Sequence, residues 1–202
     1  MAPQVLIFII TITAFLLSVT FHECMHAAVA YLLGDDTAKR EGRLTLNPLK
    51  HIDPLGFLLI LLIRVGWAKP VPINPKNFKY PGFYSVLVGF AGPLSNFFLA
   101  VLSLYAFKYF TAYYPREGIL FFLREFLMIN VMLGMFNILP IPPLDGSHVI
   151  QALLPQEWKE VYYKLQPFTL ISVVIIFSIP AVQRTFFRAV QGMIILLSKL
   201  VI

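Results

Sequence analysis

Val5-Leu-Ile-Phe-Ile-Ile-Thr-Ile-Thr-Ala-Phe-Leu-Leu-Ser-Val-Thr-Phe21-His22-Glu23-Cys24-Met25-His26 is the stretch that decides what fold this chain can adopt. It is apolar for about five helical turns, then places three ionisable groups within five residues, and stays apolar to Leu33. A run of that length reads as a membrane-spanning helix. The polar insert is H-E-x-x-H, a zinc-protease motif. Helical residues four apart point about 40° from each other, so His22 and His26 can grip one metal ion. Glu23 lies on the neighbouring flank, where it can accept a proton from an activated water. Ionisable groups at membrane depth are expensive and mark function, so a purely structural pair of histidines is the weaker reading.

The rest of the composition agrees with a membrane setting. Of 202 residues, 58% are hydrophobic and 13% charged, and mean hydropathy is +0.78. A soluble domain is about 45–50% apolar and about 25% charged. The chain reads as one domain over 1–202, with a catalytic core at about 5–154 and C-terminal helices at about 156–202. No stretch has room for a second sizeable soluble domain.

The net charge of +6 is not a nucleic-acid signal. Lys39, Arg40, Arg43, Lys50, Arg64, Lys69, Lys76 and Lys79 fall in one loop region, as the positive-inside rule expects of a cytoplasmic loop facing anionic lipid. Cys24 is the single cysteine, so no intrachain disulfide is expected. It reads as a small apolar residue on the face away from His22. The first twenty residues lack a basic leader region and a turn-rich break, so the segment is read as retained.

Three spans are expected, at 5–33, 83–114 and 119–139. Gly34-Asp35-Asp36 ends the first. Arg43 to Leu46 is a candidate strand, and 57–63 is too short to span, so it reads as a re-entrant or interfacial piece or a buried strand. Trp67 to Pro75 is a proline-stiffened loop. Gly92-Pro93 should break the early part of the second span, whose Gly89, Gly92 and Ser95 offer a small-residue face. Pro140, Pro142 and Pro143 stop the third. A helix from Ser147 to Leu154 follows, with Asp145 or Ser147 as its N-cap. The segments 155–166, 168–182 and 184–202 could form a hairpin in the bilayer or lie partly on it. The fold class is therefore an all-α polytopic membrane protein. It is a helical bundle of about 4–6 membrane segments with a short strand or re-entrant element after the first span.

Depth links two distant motifs. With the basic loop cytoplasmic, the first span runs inward and carries His22 roughly 26 Å from Val5. The second runs outward and the third inward again. Asp145 then arrives at the same boundary as the histidines. A catalytic zinc takes three protein ligands and leaves one position to water. Asp145 is the best third ligand, and His51, Asp53 and His148 are the rivals. His51 and Asp53 read better as loop or capping residues, and His148 as a neighbour of the ligand set. Asn137, an amide at the end of an apolar helix, is a candidate oxyanion donor or a cap for helix-end carbonyls.

Four stretches together resemble one family. Phe21-His22-Glu23-Cys24-Met25-His26-Ala27 resembles the zinc motif of the site-2 protease family of intramembrane metalloproteases. Asn137-Ile-Leu-Pro-Ile-Pro-Pro-Leu-Asp145-Gly146 resembles its second motif, N-x-x-P-x-P-x-L-D-G. Gly92-Pro-Leu-Ser-Asn96 is similar to its G-x-x-x-N element. Asn47-Pro48 with His51-Ile-Asp53-Pro54-Leu-Gly56 is similar to the loop of its small, minimal members.

The resemblance implies one Zn²⁺ per chain, held by His22, His26 and Asp145, with Glu23 as general base. Asn137 would hold the oxyanion or substrate carbonyl. Gly92 and Asn96 would contact an unwound substrate, although tight helix packing also accounts for Gly92. A PDZ or CBS domain is not expected. The 57–80 segment would serve as a membrane-embedded hairpin or strand that pairs with an extended substrate. The implied function is cleavage of transmembrane protein substrates within the bilayer, in a prokaryotic plasma membrane, with the active site near the cytoplasmic side. Two other classes compete, a membrane metal-ion carrier and a catalytically inactive helix-binding scaffold. Glu23 argues against the scaffold. Against the carrier stands the apparent lack of polar residues leading from the motif to the outer face, apart from Lys108, Arg124 and Glu125.

Overall fold

Three long helices carry the architecture. In the computed structural model, which describes residues 3–63 and 67–201, they are α1 (Pro3–Leu32), α4 (Pro81–Tyr113) and α5 (Glu117–Asn137). Between them lie the short α2 (Thr37–Arg40) and α3 (Pro54–Ile63). After them come α6 (Ser147–Leu153), α7 (Gln156–Ser178) and α8 (Pro180–Ser198). Helices α1, α4 and α5 are each long and apolar enough to cross a membrane. The pair α7–α8, bent by 88°, makes a fourth if counted as one broken span. This is the low end of the expected number of segments, and the bend excludes an antiparallel hairpin for α7 and α8.

Helix α1 ends as its sequence dictates. Gly34 takes φ +105, a conformation open to glycine at little cost. Asp35 N–H then reaches back to Ala30 O at 2.9 Å, and Gly34 N–H to Tyr31 O at 3.1 Å. This is the Schellman pattern, which satisfies carbonyls that a helix end would otherwise strand. Helix α4 is the central element and the most deeply buried of the three long helices. It packs on α1, α5, α6 and α8. The buried positions are mostly small: Ala14, Ala27 and Ala30 on α1, and Gly89, Ala91, Gly92, Ser95 and Ala100 on α4. In lipid, association relies on close packing rather than on expulsion of water, and small residues permit it. Large apolar side chains such as Leu94, Phe98 and Leu102 point outward.

Several sequence expectations are corrected. Arg43 to Leu46 is a turn, closed by Thr45 N–H on Arg43 O, and not a strand. Residues 57–63 belong to helix α3, which Asp53 caps through Oδ1 on Gly56 N–H. Among the described residues, strand pairing is limited to one antiparallel bridge between Ile52 and Ala68. The hairpin or strand expected over 57–80 is therefore a helix followed by an extended strap, which overturns the strand readings and not the re-entrant or interfacial one, and Arg64 lies outside the described residues. Gly92-Pro93 does not break α4, which runs through Pro93. A proline removes one helix hydrogen bond, and α4 is packed on both α1 and α5. Helix α6 takes Gly146 as its N-cap residue, with no side-chain cap. Asp145 is turned elsewhere.

Candidate active site

The last turns of α1, the first half of α4 and the loop after α5 meet at one end of the bundle. Ser18, His22 and His26 repeat every four residues along α1, and all three are buried. Asp145 enters from the loop between α5 and α6. His22 Nε2 and His26 Nε2 stand 3.0 Å apart. Asp145 Oδ2 lies 3.0 Å from the first and 3.3 Å from the second. Among the described residues, this is the one group of three such side chains whose ligand atoms come this close.

The far side of each ring explains why those atoms face one another. His22 Nδ1 meets Asn96 Oδ1 at 2.6 Å, and His26 Nδ1 meets Val88 O at 2.6 Å. Both partners are acceptors, so each Nδ1 carries the proton and each Nε2 is left with a lone pair. Asp145 Oδ2 is buried with no hydrogen bond of its own. Burial alone would push the Asp145 carboxyl up, but positive charge shared with the imidazoles beside it outweighs burial and holds it well below the usual carboxylate range. Two lone pairs and a carboxylate around one point require a positive charge between them. Tetrahedral zinc with bonds of about 2.0–2.1 Å needs ligand atoms about 3.3 Å apart. The donor set and its spacing fit zinc.

Glycines make room for this cluster. A Cβ on Gly92 would fall 2.6 Å from His22 Nε2 and against His26 Nε2 as well. A Cβ on Gly89 would lie 2.8 Å from His148 Cδ2 and 2.9 Å from Asp145 O. The small face anticipated on α4 therefore receives the two imidazoles and the Asp145 turn, and not merely a neighbouring helix. Gly146 is equally constrained, because a Cβ there would run into Ile138 O. Its N–H donates to Asn137 O at 2.7 Å, which closes the loop that presents Asp145. The Asn137 side chain turns back on its own helix, with Nδ2 on Leu133 O at 3.1 Å.

Glu23 lies beside His22, and its Oε2 accepts from Val71 N–H at 3.1 Å. Val71 belongs to a strap that Arg43 and Asp35 hold at its two ends. Arg43 donates to Lys69 O and Pro70 O. Asp35 accepts from Asn74 N–H and Asn77 Nδ2. His148 borders a cavity of about 160 Å³ shared with Ile73, Ser85, Val88 and Gln151. Burial pushes the His148 pKa down, which favours a neutral ring. His51 is fully buried, with Nε2 on Thr45 O at 2.8 Å. His51, Asp53 and His148 are not part of the three-residue cluster.

Asn96 is fully buried and its amide is fully used. Oδ1 meets His22, and Nδ2 donates to Asn130 Oδ1 at 2.8 Å. Sequence reasoning missed Asn130, Ser18, Arg43 and Asp35. An asparagine in the middle of an apolar span was the available signal for Asn130. These residues also correct the view that no polar group leads outward from the motif. Ser18, Asn96 and Asn130 do so, but they are bonded to one another. Further out, Glu125 accepts from Thr11 at 3.2 Å.

A family model described as Peptidase family M50 matches residues 112–179. "Putative zinc metalloprotease YwhC" of Bacillus subtilis is 41% identical over 171 residues, covering 82% of this chain and 78% of its own length. A similarly named protein, Rip2 of Mycolicibacterium smegmatis, is 32% identical over 190 residues, covering 91% of this chain and 72% of its own. No solved structure gives a significant match. With relatives this similar over most of both lengths, the chain belongs to peptidase family M50, the site-2 protease family, and is a multi-pass membrane zinc metalloendopeptidase.

Proposed function

We propose that this protein hydrolyses peptide bonds in or near the transmembrane segments of other membrane proteins. The observation that carries the reading is the convergence of two imidazole nitrogens and one carboxylate oxygen at the end of three apolar helices. In this reading His22, His26 and Asp145 hold one zinc ion. When bound there, zinc supplies a Lewis acid that polarises a peptide carbonyl and acidifies a water molecule. Glu23 accepts the proton from the attacking water and passes it to the departing amine. Its carboxylate exchanges the Val71 N–H for that water. Asn137 Nδ2 exchanges Leu133 O for the carbonyl oxygen under attack. Gly92 keeps the space beside the imidazoles open, and Asn96 fixes His22. A substrate segment unwound from its helix enters from the side of the strap and the cavity beside His148.

The site faces the cytoplasm in this reading, because Lys39, Arg40, Arg43, Lys50, Lys69, Lys76 and Lys79 all belong to the loops at its end of the bundle. Relatives from bacteria support a prokaryotic plasma membrane. The test is reconstitution of the purified protein with a single-span substrate, comparing wild type with Glu23→Gln. The expected result is zinc content unchanged and cleavage lost. Cleavage at the wild-type rate would reject Glu23 as the base.

A further inference from the structure

The polar chain behind His22 runs through three helices without a gap. Ser18 Oγ donates to Ala14 O at 2.8 Å. Asn130 Nδ2 donates to Ser18 Oγ at 2.8 Å and to Phe126 O at 2.8 Å. Asn96 Nδ2 donates to Asn130 Oδ1 at 2.8 Å and more weakly to Ser18 O at 3.4 Å. Asn96 Oδ1 then faces His22 Nδ1. Ser18, Asn96 and Asn130 are all wholly or almost wholly excluded from solvent.

We infer that Asn130 is a positioning residue for the metal site: acting through Asn96, it dictates which nitrogen of His22 carries the proton and so which one is free for metal. The inference rests on the reading of His22 as a zinc ligand. Ala14 O, Phe126 O and Ser18 O are backbone carbonyls and can only accept. They fix the sense of every bond that follows. If Asn96 alone flipped, its oxygen would face both Asn130 Oδ1 and Ser18 O. If Asn130 flipped with it, the Asn130 oxygen would face Phe126 O. Each alternative sets oxygen against oxygen in a buried space, where unpaired acceptors are costly. Asn96 must therefore present oxygen to His22, and His22 must hold its proton on Nδ1. His26 obtains the same tautomer from a backbone carbonyl, Val88 O, which no side-chain substitution removes. His22 depends on side chains, and Asn130 is the one that ties the chain to α5.

The experiment uses the full chain in detergent and the variants Asn130→Leu, Asn96→Leu and the double variant. Zinc affinity is read by competition with a chromophoric chelator. The His22 tautomer is read from ¹⁵N-imidazole resonances of the metal-free protein. Asn130→Leu should weaken zinc binding about tenfold and convert the His22 signal from pure Nδ1–H to a mixture of tautomers. The double variant should bind zinc no more weakly than Asn96→Leu alone. If the two losses multiply, or if Asn130→Leu leaves both affinity and tautomer unchanged, the inference is overturned. If Asn130→Leu does not fold, Ser18→Ala decides in its place, since it removes one hydroxyl and leaves both amides. It should act in the same direction by a smaller factor. A wild-type protein that binds no zinc would overturn the ligand reading. The tautomer measurement, made without metal, still reports on Asn130.

Discussion

Arg43 reaches across the loop and donates through Nη2 to Lys69 O over 2.6 Å, and Nη1 reaches Pro70 O at 3.0 Å. The next residue, Val71, bonds Glu23, so the guanidinium sets the strap that touches the proposed base. Hydrogen bonds from a charged donor contribute about 1.5–3 kcal/mol each. Arg43→Met removes both and should lower stability by about 3–6 kcal/mol in a thermal melt in detergent. It should reduce cleavage while leaving zinc content intact. Arg43→Lys, which cannot fork onto two carbonyls, should recover only part of the stability. Equal loss of zinc and cleavage would show that the strap serves the fold alone.

Gly92 separates space-filling from chemistry. An alanine there must displace two imidazoles at once, because both Nε2 atoms lie within reach of the added carbon. Overpacking a tight site costs about 1–3 kcal/mol, and a shift of about 1 Å at a catalytic centre costs on the order of 10²-fold in rate. Gly92→Ala should retain its helical circular dichroism, lose zinc and lose cleavage by at least that factor. Gly192→Ala, with open space around its Cβ, is the matched control and should change neither.

The helix pattern and the metal motif were legible because each follows from local chemistry. Apolar run length defines α1, α4 and α5, and the four-residue spacing puts His22 beside His26. Asp145 was legible from depth, since α1 and α5 carry their C-terminal ends to the same end of the bundle. The strap was not. Pairing needs partners distant in sequence, and the run at 57–63 has no alternation to tell helix from strand. Asn96 was legible only as part of a motif. Its bond to His22 depends on how α1 and α4 pack, which no spacing within either helix encodes.

Asp35 gives the loop a pH dependence. Burial works to raise its pKa, but donors from the Thr37 hydroxyl, Asn74 N–H, Asn77 Nδ2 and Thr37 N–H outweigh burial and hold it below its ordinary 3.8. A carboxylate with a depressed folded-state pKa contributes stability that is complete above the unfolded value and is lost as pH falls through the folded one. The melting temperature of wild type should therefore exceed that of Asp35→Asn at neutral pH. The gap should narrow as pH drops below about 4. A gap that stays constant down to pH 2 would mean that the contacts hold the neutral acid equally well.

Removal of metal should be accompanied by uptake of a proton. Two bare imidazole nitrogens 3.0 Å apart, with a carboxylate oxygen at 3.0 and 3.3 Å, need a positive charge among them. Zinc meets that need in one state and a proton on His26 Nε2 in the other, which leaves His22 neutral, since both Nδ1 atoms already hold theirs. Metal binding to such a site releases the proton, so affinity should fall as pH is lowered. Calorimetric titration of the metal-free protein with zinc, repeated in buffers of different ionisation enthalpy, should report close to one proton released per ion. Zinc at a hundred times its dissociation constant should also stabilise the fold by about 2.7 kcal/mol. A heat of binding that is the same in every buffer would mean that the three side chains meet without the charge requirement their spacing imposes, and the ligand set would have to be sought elsewhere.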